Sequence, residues 1–227
     1  MNNKTIIVKS IKDLEKIRGI KKVERLTIFI MKDIYIQDEY NHTPIELENT
    51  DVVIYGLSNG IYNLQINNRN KNNAGLFGNV RNLYVKNLKL SNVVIKSNEI
   101  NGTLAARVVE NVEVDGLELD SVIESDAVSG GIVGTCNEIE VKNSQIFTTI
   151  SGRGVLGGLS GIAEKYKIEN TILSASFKPA NIKLYRNILV DLYVGYLGEK
   201  ENARVALLTE EANEYVENKN MQRKLNM

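Results

Sequence analysis

Four segments of the chain alternate apolar and polar residues: RNLYVKNLKLSNVVI (81–95), ENVEVDGLELDSVI (110–123), NEIEVKNSQIFTTI (137–150) and EKYKIENTILSASF (164–177). Period two sends successive side chains to opposite faces, so each segment predicts strands with one buried face. The segments align on Asn87, Gly116, Asn143 and Asn170. Val85, Val114, Val141 and Ile168 stand two positions before these, and Leu90, Leu119, Ile146 and Leu173 three positions after. These columns predict inward-facing ladders. The aligned Asn, with Gly116 in its place once, predicts a bend between two strands, because both residues tolerate left-handed backbone.

Ahead of each segment stands a small glycine-bounded motif. Gly75-Leu76-Phe77-Gly78 is followed by Gly102-Thr103-Leu104-Ala105, Gly131-Ile132-Val133-Gly134, Gly158-Leu159-Ser160-Gly161 and a distant copy, Gly195-Tyr196-Leu197-Gly198. The spacings are 27, 29, 27 and 37 residues. A near-constant period in this range signals a solenoid. Three short strands and tight bends per coil predict an all-β fold, a right-handed parallel β-helix whose coils rise about 4.8 Å each.

The ends read as caps. Ser10 and Asp13 make a capping-box-like start to the helix IKDLEKIR, with Gly19 as its stop. Thr209 and two acids open TEEANEYVENKNMQRK, which ends basic and predicts a C-terminal helix. The expected organisation is a β-helix with its N-terminal cap over 1–177, its repeated coils at about 74–177, then an irregular last coil and helical cap over 178–227.

In order, IKDLEKIRG, LTIFIMKDIYI with Asp33-Ile34, a Pro44-Ile45 turn, a glycine bend from Gly56 to Gly60, AGLFG and GGIVG resemble bacterial GLUG-motif β-helix proteins over roughly residues 5–177. The resemblance implies a repeat scaffold that is usually non-catalytic. Its relatives are mostly secreted or surface proteins, including adhesins and repeat regions of IgA-peptidase-like proteins.

Composition narrows the setting. The 227 residues hold two prolines, no Trp and a single cysteine, Cys136. A lone cysteine excludes an intrachain disulfide framework and fits a reducing compartment. No stretch approaches the roughly 20 apolar residues of a membrane span, and the first residues hold no signal-peptide core, so a cytoplasmic protein is expected. Basic and acidic residues balance at 28 each, which does not suggest direct nucleic-acid binding. The balance hides segregation: residues 52–98 carry six bases and no acid, and 108–141 carry nine acids and no base.

Register accounts for much of this. Lys86, Asp115, Lys142 and Glu169 fall in one column, and Lys89 faces Glu118, so neighbouring coils present opposite charges. Glu113 and Glu140 share another column, with Asp126 and Glu138 nearby, and form a candidate strip for a basic protein surface. Glu113, Asp115, Glu118 and Asp120 are also the carboxylates a polysaccharide-active β-helix would use. A Ca²⁺ site is a weaker reading, since no Asp-rich turn of ligand spacing occurs.

GRGVLGG matches G-x-G-x-x-G but lacks a following helical pattern. His42 reads as an exposed turn residue in YNHTPI, and Cys136 as a small packed side chain. Tyr185, Tyr193, Tyr196 and Tyr215 concentrate late in the chain, either as packing or as an interface. The function expected is a non-catalytic interaction protein without cofactor or metal, bound to a protein or ribonucleoprotein partner. Its finest form is a phage- or mobile-element-encoded inhibitor of a host defence complex. The alternatives are a surface adhesin or glycan-binding module and a polysaccharide-active enzyme, and stacking through an uncapped end would give a homodimer.

Overall fold

The computed structural model describes residues 2–37, 39–69, 73–179, 189–191 and 194–207. Among the described residues the chain winds as a parallel β-solenoid of about six turns, with one short helix. It starts with β1 (Asn3–Val8), α1 (Ile11–Lys16) and a 3-10 turn, Ile17–Gly19. Then come β2 (Arg25–Ile30), β3 (Ile34–Tyr35), β4 (Ile45–Tyr55), β5 (Gly60–Tyr62), β6 (Gln65–Asn67), β7 (Asn73–Ala74) and β8 (Phe77–Ser97). The following turns are β9 (Ile100–Gly102), β10 (Ala105–Val108) and β11 (Asn111–Ser125), then β12 (Val128–Gly130), β13 (Val133–Thr135), β14 (Glu138–Lys142) and β15 (Gln145–Gly152). β16 (Val155–Gly157), β17 (Ser160–Pro179), β18 (Leu189–Asp191) and β19 (Val194–Leu207) complete it. Every pairing among these strands is parallel, each strand bonding to its equivalent one coil away.

The two expected ladders form the core. Val85, Val114, Val141 and Ile168 stack in register, as do Leu90, Leu119, Ile146 and Leu173, all at most 3% exposed. The bends between them sit where Asn and Gly align: Asn87, Gly116, Asn143 and Asn170 all have positive φ, from 46° to 76°. Asn143 Nδ2 also donates to Asp115 Oδ1 (2.8 Å), tying one bend to the coil before it. Leu90 pairs with Leu119 and Val93 with Ser121, so Asn92, itself at φ 54°, absorbs one extra residue in its coil. That bulge is part of why the sequence period is uneven.

Three expectations about glycine change. The residue stacked on Gly102 is Gly130, then Gly157, one position before the aligned Gly131 and Gly158. Ala105 is level with Phe77 and Val133, so Ala106 rather than Ala105 takes the place of Gly78 and Gly134. In the bend from Gly56 to Gly60, positive φ falls on Leu57 (53°) and Ser58 (64°), while Gly56 is needed because a Cβ would overlap the Asn87 backbone.

At the N-terminus, the Ser10 hydroxyl accepts from Asp13 N–H (3.4 Å), while Asp13 Oδ2 accepts from Lys9 N–H (3.1 Å), one residue before the N-cap N–H that a capping box would use. Gly19 is not a left-handed stop: it closes a 3-10 turn in which Ile20 N–H bonds to Ile17 O (2.9 Å). Leu14 and Ile17 plug the first coil, at 2% and 0% exposure. Described strands continue to Leu207, with register shifts between β17 and β19 near Ile168. The predicted C-terminal helix, including Thr209 and Tyr215, lies outside the described residues.

Candidate functional site

The face built from β2, the end of β4, the middle of β8, the start of β11, β14 and the middle of β17 carries most of the candidate strip. Its inward residues are the ladder, so period two turns the residues between them outward. One outward column runs Val53, Tyr84, Glu113, Glu140, Lys167, and another runs Tyr55, Lys86, Asp115, Lys142, Glu169. Glu113, Glu138 and Glu140 are therefore together, Glu138 standing between Asn111 and Lys165. Asp126 is apart from them, at the turn after β11, where Arg153 holds it (Nε–Oδ1 3.0 Å).

Part of the acidic strip is neutralised in place, at Asp126 and Glu140. Glu140 Oε1 lies 2.8 Å from Lys142 Nζ and 2.9 Å from Lys167 Nζ, and these two lysines hold its carboxyl below the ordinary range. Lys86 lies 3.6 Å from Asp115 and Lys89 lies 2.9 Å from Glu118, the pairs that stacking predicts. Lys142, expected to alternate with Asp115 and Glu169, turns along its own strand to Glu140 instead. Arg69 and Lys96 both reach Glu124, at 3.0 and 3.1 Å. Glu113 makes no ion pair among the described residues, and its charge adds to burial in raising the Tyr84 phenol.

Between these columns lies a shallow groove of about 270 Å³, walled by Tyr55, Tyr84, Lys86, Glu113, Glu140 and Lys142. Neither of its two tyrosines is among the expected site residues. They were legible as outward positions in TDVVIY and NLYVK, since each alternates with a buried Val or Ile.

His42 is not an exposed turn residue. It is 1% exposed, with Nε2 2.9 Å from Leu76 O and Nδ1 facing Tyr40 Oη (3.3 Å) and Arg18 Nη2 (3.4 Å). Burial pushes its pKa down to about 4. The same cluster clamps α1 to the turn before β4: Arg18 bonds Glu15 Oε2 (2.5 Å), Pro44 O (3.0 Å) and Thr43 O, and Tyr40 donates to Glu15. Desolvation raises the Tyr40 phenol to about 12.

Cys136 packs as a small side chain, 8% exposed, its thiol pushed up to about 12 by burial. Of GRGVLGG, Gly152 ends β15, Gly154 lies in the bend before β16 and Gly157 ends β16, and the chain continues into β17, so no helix N-terminus stands there for a phosphate. Tyr185 and Tyr193 lie outside the described residues; of Tyr196 the backbone alone is described, in register with Ile162. Among the described residues no three His, Cys, Asp or Glu side chains gather as metal ligands, and no helix is long and apolar enough to cross a membrane. No protein-family model matches the chain, and no curated protein matches it.

Proposed function

We propose that this chain is a non-catalytic interaction protein, a rigid solenoid that presents its outer faces to a protein or ribonucleoprotein partner. The carrying observation is the commitment of its chemically capable side chains to the fold. Asp115, Glu118, Glu124, Asp126 and Glu140 each face a lysine or arginine, three of these five from the neighbouring coil alone, while His42 and Cys136 are buried. Carboxylates held this way favour coil register over proton transfer. A stack of parallel strands with a continuous core also moves little on binding, which suits a preorganised docking surface.

The finer reading belongs to the same proposal: a GLUG-type repeat scaffold, acting in the cytosol, encoded by a phage or mobile element and directed against a host defence complex. The test is affinity purification of the tagged full chain from bacterial host lysate, followed by mass spectrometry and reconstitution. A stoichiometric partner that reassembles with the purified chain supports the reading. Recovery of none, together with turnover on a polyuronate panel that Asp115→Asn or Glu118→Gln abolishes, would replace it with an enzyme.

A further inference from the structure

The outer columns change character along the solenoid axis. The column that reads Lys86, Asp115, Lys142 and Glu169 in the later coils begins with Ile7, Phe29 and Tyr55. Past the last paired residues of this face the chain turns the adjoining corner through Lys9, Met31 and Leu57, the last at φ 53° where Asn87 of the next coil has 49°. Ile7 is 55% exposed, Met31 46% and Leu57 49%, and beyond the corner Tyr35 is 67% exposed and stacks on Tyr62 at 4.7 Å. Phe29 and Tyr55 stack at 5.1 Å. The later coils show that charged and amide side chains satisfy these same positions, so stacking alone does not call for apolar ones. A contiguous exposed apolar surface of this kind marks an interaction site.

Over residues 1–62 nine Lys and Arg meet nine acids, with Asp33 beside Lys32 at the corner and accepting from Gly60 N–H (2.8 Å), but the charge is unevenly spread. Residues 1–32 contain nine Lys and Arg against three acids. Two of those acids are engaged, Asp13 with Lys16 (2.7 Å) and Glu15 with Arg18 (2.5 Å). Lys9, Lys12, Lys22, Arg25 and Lys32 are exposed and make no ion pair among the described residues, unlike most charges of the acidic coils. Lys9 and Lys32 sit at the apolar corner itself.

We propose that the first three coils form a docking surface for an acidic protein segment whose apolar side chains cover Ile7, Met31 and Leu57 while its carboxylates meet Lys9 and Lys32. This rests on the interaction reading above and names the surface and the partner's chemistry. Charge complementarity selects the occupant. A nucleic-acid backbone would leave the aliphatic side chains uncovered, and a single Arg among the free cations gives little bidentate phosphate recognition. A bilayer is disfavoured because Ile7, Phe29 and Tyr55 lie in a column on a flat sheet rather than on a protruding element. A second copy adding to the β1 edge meets Lys4, which occupies an inward position level with Leu26 and blunts edge pairing.

The test is fluorescence anisotropy with the full chain and a labelled peptide of alternating Glu-Leu-Asp-Phe, against the same peptide with Lys for each acid. The acidic peptide is expected to bind at least tenfold more tightly, and to lose at least tenfold in the double variants Met31→Asp/Leu57→Asp and Lys9→Glu/Lys32→Glu. Arg107→Glu, exposed on a later coil, leaves binding unchanged, and an unaltered melting midpoint certifies that each variant is folded. Absence of binding, equal binding of the basic peptide, or binding retained in both double variants overturns the proposal. Binding of oligo-dT or of phosphatidylserine vesicles that these variants abolish, with the peptide unbound, overturns it in favour of nucleic acid or membrane. A lysate partner captured equally by wild type and both double variants removes this surface but leaves the interaction reading standing.

Discussion

Gly75 and Gly102 stack on adjacent coils so closely that a Cβ on Gly75 would stand 2.5 Å from the Gly102 carbonyl oxygen. The obstacle is backbone, which cannot swing away without disturbing the ladder. Gly75→Ala is therefore expected to cost about 1–3 kcal/mol, the range for overpacking a filled interior. Gly19, with nothing near its missing Cβ, is the internal control: Gly19→Ala leaves stability within about 0.5 kcal/mol. Urea denaturation of the two variants checks both.

Gly78 differs in kind, because the group in its way is the Glu46 carboxylate, which accepts from Asn79 N–H (2.9 Å). A side chain can rotate aside. Gly78→Ala should cost less than Gly75→Ala, and Glu46→Ala should recover part of the loss. A double-mutant cycle on unfolding free energy reads that coupling; strict additivity would contradict it.

Asn82 fastens three coils together. Its amide nitrogen donates to Asp51 Oδ1 (2.9 Å) and Glu110 Oε2 (2.8 Å), and its oxygen accepts from Asn111 N–H (3.0 Å), at 7% exposure. Asn82→Ala strands the half-buried Asn111 N–H and two carboxylate acceptors, and is expected to cost about 1–3 kcal/mol in thermal or chemical denaturation.

Acid should loosen the N-terminal clamp. His42 is held neutral in the folded protein at a pKa of about 4, against 6.5 for the free side chain. The unfolded chain therefore takes up the proton first as pH falls. This contribution is complete above pH 6.5 and is lost progressively toward pH 4, at up to about 1.4 kcal/mol per unit and about 3 kcal/mol in all. Unfolding free energies measured across that window should slope in wild type and flatten in His42→Gln. Equal slopes in both would place the acid sensitivity elsewhere.

Cys136 should be silent to thiol reagents. With its pKa pushed to about 12 and its side chain nearly covered, the thiolate is scarce and out of reach at pH 8. Ellman's reagent is expected to react only as fast as the chain unfolds, and urea should release one thiol per chain.

Much of the scaffold was legible because a solenoid repeats its contacts at nearly fixed sequence separation. Val85, Val114 and Val141 recur at coil period, so alternation and spacing together identify the inward ladder, the left-handed bends at Asn87 and Asn143, and the facing charges Lys86–Asp115 and Lys89–Glu118. The glycine columns were misplaced by one residue because Gly130-Gly131 and Gly157-Gly158 are doublets, and spacing cannot say which member meets Gly102.

What spacing could not reach lies in the first coils, where the repeat is weakest. His42 is buried by Leu76, Tyr40 and Arg18, partners 34, 2 and 24 residues away that share no period. The candidate strip divided for a related reason. Alternation placed Glu113 beside Glu140, but only packing brought Lys142 and Lys167 onto Glu140 and put Asp126 with Arg153. Likewise Ile7, Phe29 and Tyr55 alternate with core residues as ordinary outward positions. Only three-dimensional register shows them to be the start of the column that later turns charged. Sequence by itself determined the coil, its core and its bends, because these rest on local periodicity. Tertiary structure decided which surface is left apolar, because that depends on which irregular neighbours cover which side chains.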